Sequence, residues 1–277
     1  MNTPPTLAIV GAGKLARTLA RLWHTANAVV LQDVLNRSPK SARNAIGFIG
    51  TGTAINEVSQ LRRADIVLIA TPDDQIHSVC ERLAASVPLE GSIVFHCSGA
   101  LPSSILEPAR AQGATIASIH PVRSFARPEE MLHSFVGTWC GVEGDRQAID
   151  ALQPLFAAIG AHFVDIDPQR KTLYHAAAVF ASNYLVTLLD TAVQAYSQAG
   201  VPRNVALKMM APLVRETVEN VLTLGTEQAL TGPIARGDVK TVLRQYRAAR
   251  SWDKRYGDLY RKLGKLTVAM VRRRRNN

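Results

Sequence analysis

The chain has 277 residues, 47% of them hydrophobic and 19% charged, with a formal net charge of +10. That composition excludes a disordered protein and is long enough for one large domain or two medium ones with a sizeable core. The three cysteines, Cys80, Cys97 and Cys140, have neither close pairing nor histidines at metal-ligand spacing, so they read as buried thiols and no metal site is expected.

Met1 is followed by polar Asn2, Thr3, Pro4 and Pro5 and then by the strand-like LAIV, which does not read as a secretory signal. Apolar runs over 6–10, 29–36, 65–70, 92–97, 115–119, 138–143 and 162–166 predict strands. Helical patterns lie between them at 13–25, 39–46, 54–62, 73–86, 102–112 and 146–159. This alternation predicts an α/β domain, a doubly wound Rossmann-type parallel sheet with helices on both faces. After VDIDP the strands cease, and helices are expected over 169–198, 202–224, 226–230, 238–248 and 252–273. The boundary therefore falls near residue 166, giving an α/β domain over 1–166 and an all-α domain over 167–277. The most apolar stretch, HAAAVFASNYLVTLL, contains Ser182 and Asn183 and reads as too short for a membrane span, so a soluble cytoplasmic protein is expected. Much of the positive charge sits in the final helical segment, which ends on four arginines. No nucleic-acid motif accompanies it, and it reads as a solvated helix face and tail.

The first strand runs into GAGKLA, a match to G-x-G-x-x-A with Gly11, Gly13 and Ala16 in the small positions. Gly11 permits the tight turn, Gly13 lets backbone approach a pyrophosphate, and Ala16 lets the helix lie close to the strand. The segment Gly11, Ala12, Gly13, Lys14 and Leu15 is then the phosphate cradle of a dinucleotide site, at a helix N-terminus with free amides. A site for NAD commonly places an acid at the end of the second strand. Here that strand closes on Asn36, Arg37 and Ser38, with Lys40 and Arg43 close by, while Asp33 sits before the loop. Donors without a carboxylate predict NADP. The loop Ala70-Thr71-Pro72-Asp73 after the next long strand is expected beside the nicotinamide, although Asp73 reads equally as a helix N-cap.

Taken together, GAGKLA, NRS, ATPDDQI, HCSGAL, SIHPVRSFA and YHAAAVFASNYLVTLL resemble Rossmann-like proteins that carry a helical C-terminal domain of unknown function. That group is similar to the superfamily of 6-phosphogluconate dehydrogenase, β-hydroxyacid dehydrogenases and pyrroline-5-carboxylate reductase. The resemblance implies an NADP-dependent oxidoreductase of a small-molecule carbonyl, imine or hydroxy substrate, and a homodimer formed through the helical domain. It places catalytic groups on the first long helix after the sheet, where Lys171 and His175 are the matching pair. Four residues at about 100° each return to nearly the same helix face, and Asn183 follows further along. Lys171 or His175 is then a general acid, with Asn183 polarising the same atom, and His175 and Asn183 are expected to border the pocket of Gly11 and Gly13. A buried helix with a satisfied histidine explains the same residues, and both readings stand. The resemblance also marks Ser98, Gly99 and His120 as substrate contacts at strand ends, and Arg236 in TGPIARGD as a partner for a substrate carboxylate. A pyrroline-5-carboxylate reductase-like imine reductase and a non-catalytic NADP sensor are the alternative readings.

Overall fold

The computed structural model describes the backbone of residues 3–276 and the side chains of residues 3–274; Met1 and Asn2 and the side chain of Arg275, in the segments discussed above, lie outside that description. The described residues fall into two compact units that meet between Val179 and Phe180.

In the first unit the chain runs β1 (Thr6–Val10), α1 (Lys14–Thr25), β2 (Val30–Leu35), α2 (Pro39–Ile49), β3 (Thr53–Ile55), β4 (Ile66–Ile69) and α3 (Ile76–Ser86). It continues through β5 (Ile93–His96), α4 (Glu107–Arg110), β6 (Thr115–Pro121), α5 (Pro128–Ser134), β7 (Trp139–Gly144), α6 (Arg146–Ala157) and β8 (His162–Asp165) into α7 (Lys171–Ala181). The strands form one eight-stranded sheet in the order β3-β2-β1-β4-β5-β6-β7-β8. Strands β1 to β6 are mutually parallel, and β7 and β8 run the other way.

The central strands read as continuous apolar runs because both faces of the sheet are covered. Along β1, Leu7 and Ile9 enter one core with Trp23 of α1 and Phe156 of α6. Ala8 and Val10 enter the other, with Val79 and Leu83 of α3 and Ala109 of α4. Strand side chains alternate faces, so each core takes every second residue. The Trp23 indole donates to the Leu155 carbonyl at 3.0 Å and packs edge-on to Phe156, which satisfies its only polar atom inside the core.

The strand order is that of a doubly wound sheet, as expected, with three local differences. Residues 54–62, read as helix, form β3 and a 3₁₀ turn over Val58–Gln60; three residues of strand carry too little periodicity to betray themselves. The capping box of Glu57 and Gln60 closes that turn. A short helix, α5, stands where no element was expected. The long helix over 169–198 is broken at Ser182, whose φ of −120° and ψ of −71° leave the helical region.

The units divide beyond Ile166 because the start of α7 belongs to the sheet. Lys171 is 1% exposed, and its ammonium donates to Glu143 of β7 at 2.8 Å and to the Ser118 hydroxyl of β6. Glu143 takes two further bonds, from the Ser103 amide at 2.8 Å and the Ser103 hydroxyl at 2.7 Å. Every charge in this knot has a partner, as burial requires.

The second unit holds α8 (Asn183–Gln198), α9 (Arg203–Leu224), α10 (Thr226–Ala229), α11 (Val239–Trp252) and α12 (Lys254–Asn276). Its buried core is small, with Val193, Ala206 and Met210 at its centre. Large apolar side chains such as Val186, Leu213 and Leu222 are exposed. The segment Pro168–Gln198 is, by length and composition, long and apolar enough to cross a membrane, which corrects the expectation that it falls short. The paired, buried charge at Lys171 fixes the start of that segment to a sheet.

Removing one partner of a buried ion pair strands the other. Lys171→Ala should lower the unfolding free energy by about 3–5 kcal/mol, while Lys171→Met with Glu143→Gln should recover most of the loss. Guanidinium unfolding of the three proteins checks this.

Candidate active site

The carboxyl ends of β1, β2 and β4 open on a cleft of about 450 Å³ lined by Gly11, Ala12, Gly13, Asn36, Arg37, Ala70, Thr71 and Pro72. Gly11 has φ +87°, and a Cβ there would lie 2.9 Å from the Ala70 carbonyl and from Thr71 Cγ2. Only glycine fits that crossing of strand ends. Gly13 differs: a Cβ would meet nothing within 4 Å, so its smallness leaves open space on the cleft side. The first amides of α1 have no partner within the helix and carry the positive end of its dipole. Thr71 Oγ1 is buried without a hydrogen-bond partner and belongs to the cleft wall. These residues fit a dinucleotide: the backbone of residues 11–13 and the first amides of α1 would hold its phosphates, and Thr71 would offer it a hydroxyl.

Several expected contacts take other roles. The Asn36 side chain accepts from the Ala12 amide at 2.7 Å, so it shapes the glycine turn as well as lining the cleft. Ser38 does not line the cleft; it caps α2 by accepting from the Ser41 amide at 3.2 Å, and Ser41 lines the cleft instead. Lys40 and Arg43 are exposed and lie off the lining. Leu15 packs against the core, and the Lys14 ammonium donates to the Ala126 carbonyl at 2.8 Å, so these two offer only backbone. Asp33 is buried and held by Arg62 at 2.7 Å, which removes that acid from the ribose end, while Glu57 stays on the lining.

Further along the same sheet edge, the ends of β5 and β6 meet the first turns of α7. The Ser98 hydroxyl donates to Asp73 at 2.8 Å, tying the Ser98-Gly99 loop to the Thr71-Pro72-Asp73 loop. A Cβ on Gly99 would collide with His175 Nδ1 and lie 2.8 Å from His120 Nε2. The two imidazoles thus turn nitrogens toward one spot, with ring centroids 5.5 Å apart. His175 Nδ1 is buried without a partner. The far nitrogen of His120, Nδ1, is 3.0 Å from the Tyr174 hydroxyl, and that ring fits because Gly141 on β7 carries no side chain. Burial first, then His175 and the Lys171 charge, pull the His120 pKa down to about 4. Beneath lies His96, whose Nδ1 accepts from the Ser98 amide at 3.1 Å while Nε2 lies 3.3 Å from the Pro102 carbonyl. Burial, aided by the Lys171 charge, holds His96 down at about 3.

The structure therefore brings together Ser98, Gly99, His120 and His175, and it adds Tyr174 and Asp73. It does not seat Lys171 there as a free acid: the ammonium is consumed by Glu143 and Ser118. Nor does it join Asn183 to His175 on one helix face, since the break at Ser182 makes Asn183 the exposed first residue of α8, in the second unit. Neither His175 nor Asn183 lines the cleft of Gly11 and Gly13; His175 stands two strand ends away, over Gly99. Arg236 lies in the second unit, in the turn before α11, where its amide donates to the Gly232 carbonyl at 3.1 Å. Among the described residues no cluster of three or more potential metal ligands occurs. Tyr174 was legible as the neighbour of His175, three residues after Lys171. Val79 and Arg82 on α3, which line the cleft with the N-cap residue Gln75, carried no motif.

Comparison with known proteins agrees with this architecture. Residues 3–121 match the model of a Rossmann-like domain, and residues 138–267 match that of a domain of unknown function, DUF2520. Along the chain, a Rossmann-like match is thus followed by a DUF2520 match. A protein from Thermotoga maritima, TM1727, superposes with a TM-score of 0.77 at 28% identity over 97% of this chain and 99% of that one. A candidate NADP oxidoreductase from Bacteroides fragilis gives 0.78 at 20% identity over 96% and 99%. The pyrroline carboxylate reductase of Plasmodium falciparum, solved with NADP bound, gives 0.63 at 15% identity over 98% and 100%. No curated protein matches the chain.

The neutral histidines make stability depend on pH. In the unfolded chain these rings take up protons near pH 6.5, and their folded pKa values are lower. Their contribution is complete above about pH 6.5 and is lost as pH falls toward about 4, each ring giving at most about 1.4 kcal/mol per pH unit. Urea unfolding from pH 7 to 4 should show a shallower decline for His120→Asn than for wild type, by about one proton.

Proposed function

We propose that the protein is an NADP(H)-dependent oxidoreductase acting on a small carbonyl or imine, or on the corresponding alcohol or amine. The observation that carries this reading is the convergence of His175 Nδ1 and His120 Nε2 over Gly99, beside a dinucleotide cradle on the same sheet edge. When bound, the nicotinamide supplies or accepts the hydride. The chain's own residues hold and protonate the other partner. A reacting oxygen or nitrogen is held beside these two ring nitrogens, which approach the Gly99 backbone too closely for a side chain there. His175 Nδ1, buried and unpartnered, holds or passes the proton at that atom. His120 stays neutral near pH 7, so it offers one donor or acceptor without adding charge, and the Tyr174 hydroxyl fixes its orientation. The Ser98 bond to Asp73 keeps the substrate loop and the nicotinamide loop in register. Similarity to a pyrroline carboxylate reductase supports a C=N substrate as the narrower form of the same reading.

NADPH oxidation against a panel of small aldehydes, ketones and cyclic imines tests the proposal. His175→Ala should lower kcat/KM by about 10² to 10⁴, with NADPH affinity retained. Gly99→Ala should do the same by pushing the His175 and His120 rings out of place. Bound NADPH with no turnover of any substrate would instead favour a sensor.

We further read the molecule as a soluble cytoplasmic homodimer. Val186, Leu213 and Leu222 are exposed on long helices whose own core is small, more apolar surface than a lone unit keeps in water. Light scattering at micromolar concentration should give twice the 30.1 kDa chain mass, and a monomer would overturn the reading.

A further inference from the structure

Resting on the dinucleotide reading above, we propose that Arg82 of α3 is a second determinant of cofactor choice, closing with Arg37 on the phosphate of the adenosine ribose. The two arginines come from opposite sides of the cleft. Arg37 stands on the loop after β2, in the position where an NADP site carries its cation. Arg82 stands on α3, and Gln75, Val79 and Arg82 are spaced four and three apart, so one helix face lines the cleft. The turn of Asn56, Glu57 and Val58 lines the same cleft, and Val58 and Val79, which belong to one core layer, supply apolar surface suited to a base.

The charge balance of this end is what makes Arg82 informative. Neither Arg37 nor Arg82 has a hydrogen-bond or ion-pair partner among the described residues. The nearest acid on the same helix, Glu81, lies beside His77 at 3.4 Å. Glu57, the single carboxylate on the lining, accepts from the backbone in its capping box. Asp33 is spent on Arg62. Two guanidinium groups without a bonded partner therefore line a cleft that holds a single carboxylate, the capping Glu57. A planar fork of donors matches phosphate better than it matches a ribose hydroxyl. An excess of cation over carboxylate, beside a slot for a base, fits a nucleotide with a phosphate on its ribose.

The test titrates NADPH, NADH and 2′,5′-ADP by fluorescence or calorimetry against wild type, Arg82→Ala, Arg82→Lys and Arg37→Ala. Wild type should prefer NADPH by at least about tenfold, the equivalent of about 1.4 kcal/mol. Arg82→Ala should weaken NADPH and 2′,5′-ADP about tenfold and leave NADH within about twofold, with Arg82→Lys between the two. Equal losses for NADPH and NADH would mean that Arg82 stacks on the base, and unchanged affinities would mean a solvated side chain; either overturns the proposal. Should wild type bind neither dinucleotide, the dinucleotide reading itself fails and this one with it. The Arg82 side chain is exposed, so the melting temperature of Arg82→Ala should match wild type and exclude misfolding.

Discussion

The first unit depends on one buried bond, the contact between the Lys171 ammonium and Glu143. A helix laid across the end of a parallel sheet has no ladder to hold it there, and apolar packing alone permits it to slide. A charge buried at its first turn does not permit sliding, because any displacement leaves an unpaired ion in the interior. Glu143 is in turn held by both the amide and the hydroxyl of Ser103, so the anchor is fixed from below. Tyr174 and His175 follow within about one turn, which transfers that fixity to the two rings around Gly99. Burial lowers the pKa of Lys171 against the pull of Glu143, and the pair holds its geometry at the cost of its reactivity.

This explains why the lysine suggested by the family resemblance does not behave as a free acid here. Its role was set by residues 28 and 53 positions away in sequence, which no helical pattern reveals. The signal was present on the strands instead. Ser118 and Glu143 are polar residues inside otherwise apolar runs on neighbouring strands, and such residues need a partner from elsewhere in the chain. By contrast, the glycine turn, the Asn36-Arg37 loop and the Ser98-Gly99 loop were legible because their meaning is local: each follows a strand and carries the small or polar residue that the turn demands. The break at Ser182 was not legible, since neither glycine nor proline marks it. Its consequence for Asn183 was therefore misjudged. Arg82 escaped notice for another reason: an exposed arginine on an amphipathic helix reads as solvated until the cleft beside it is seen.

Two glycines act as negative moulds. Gly99 and Gly141 each stand where a methyl group would strike a ring, His175 in one case and Tyr174 in the other. The site is shaped by side chains that are missing as much as by those present. Close-packed interiors leave little room for such omissions elsewhere, and alanine at either position has to push a ring aside.

The cysteines have a different significance. Cys80, Cys97 and Cys140 are all free and buried in the first unit, and desolvation pushes Cys80 up to about 11, Cys140 up to about 12 and Cys97 further in the same direction. A thiol must lose its proton before it attacks an electrophile, so the folded domain is almost inert toward alkylating reagents. Cys80 sits in one core layer, whereas Cys97 and Cys140 sit in the other. The domain thus contains an internal record of its own breathing: the order in which the three sulfurs become alkylated reports which face of the sheet opens first.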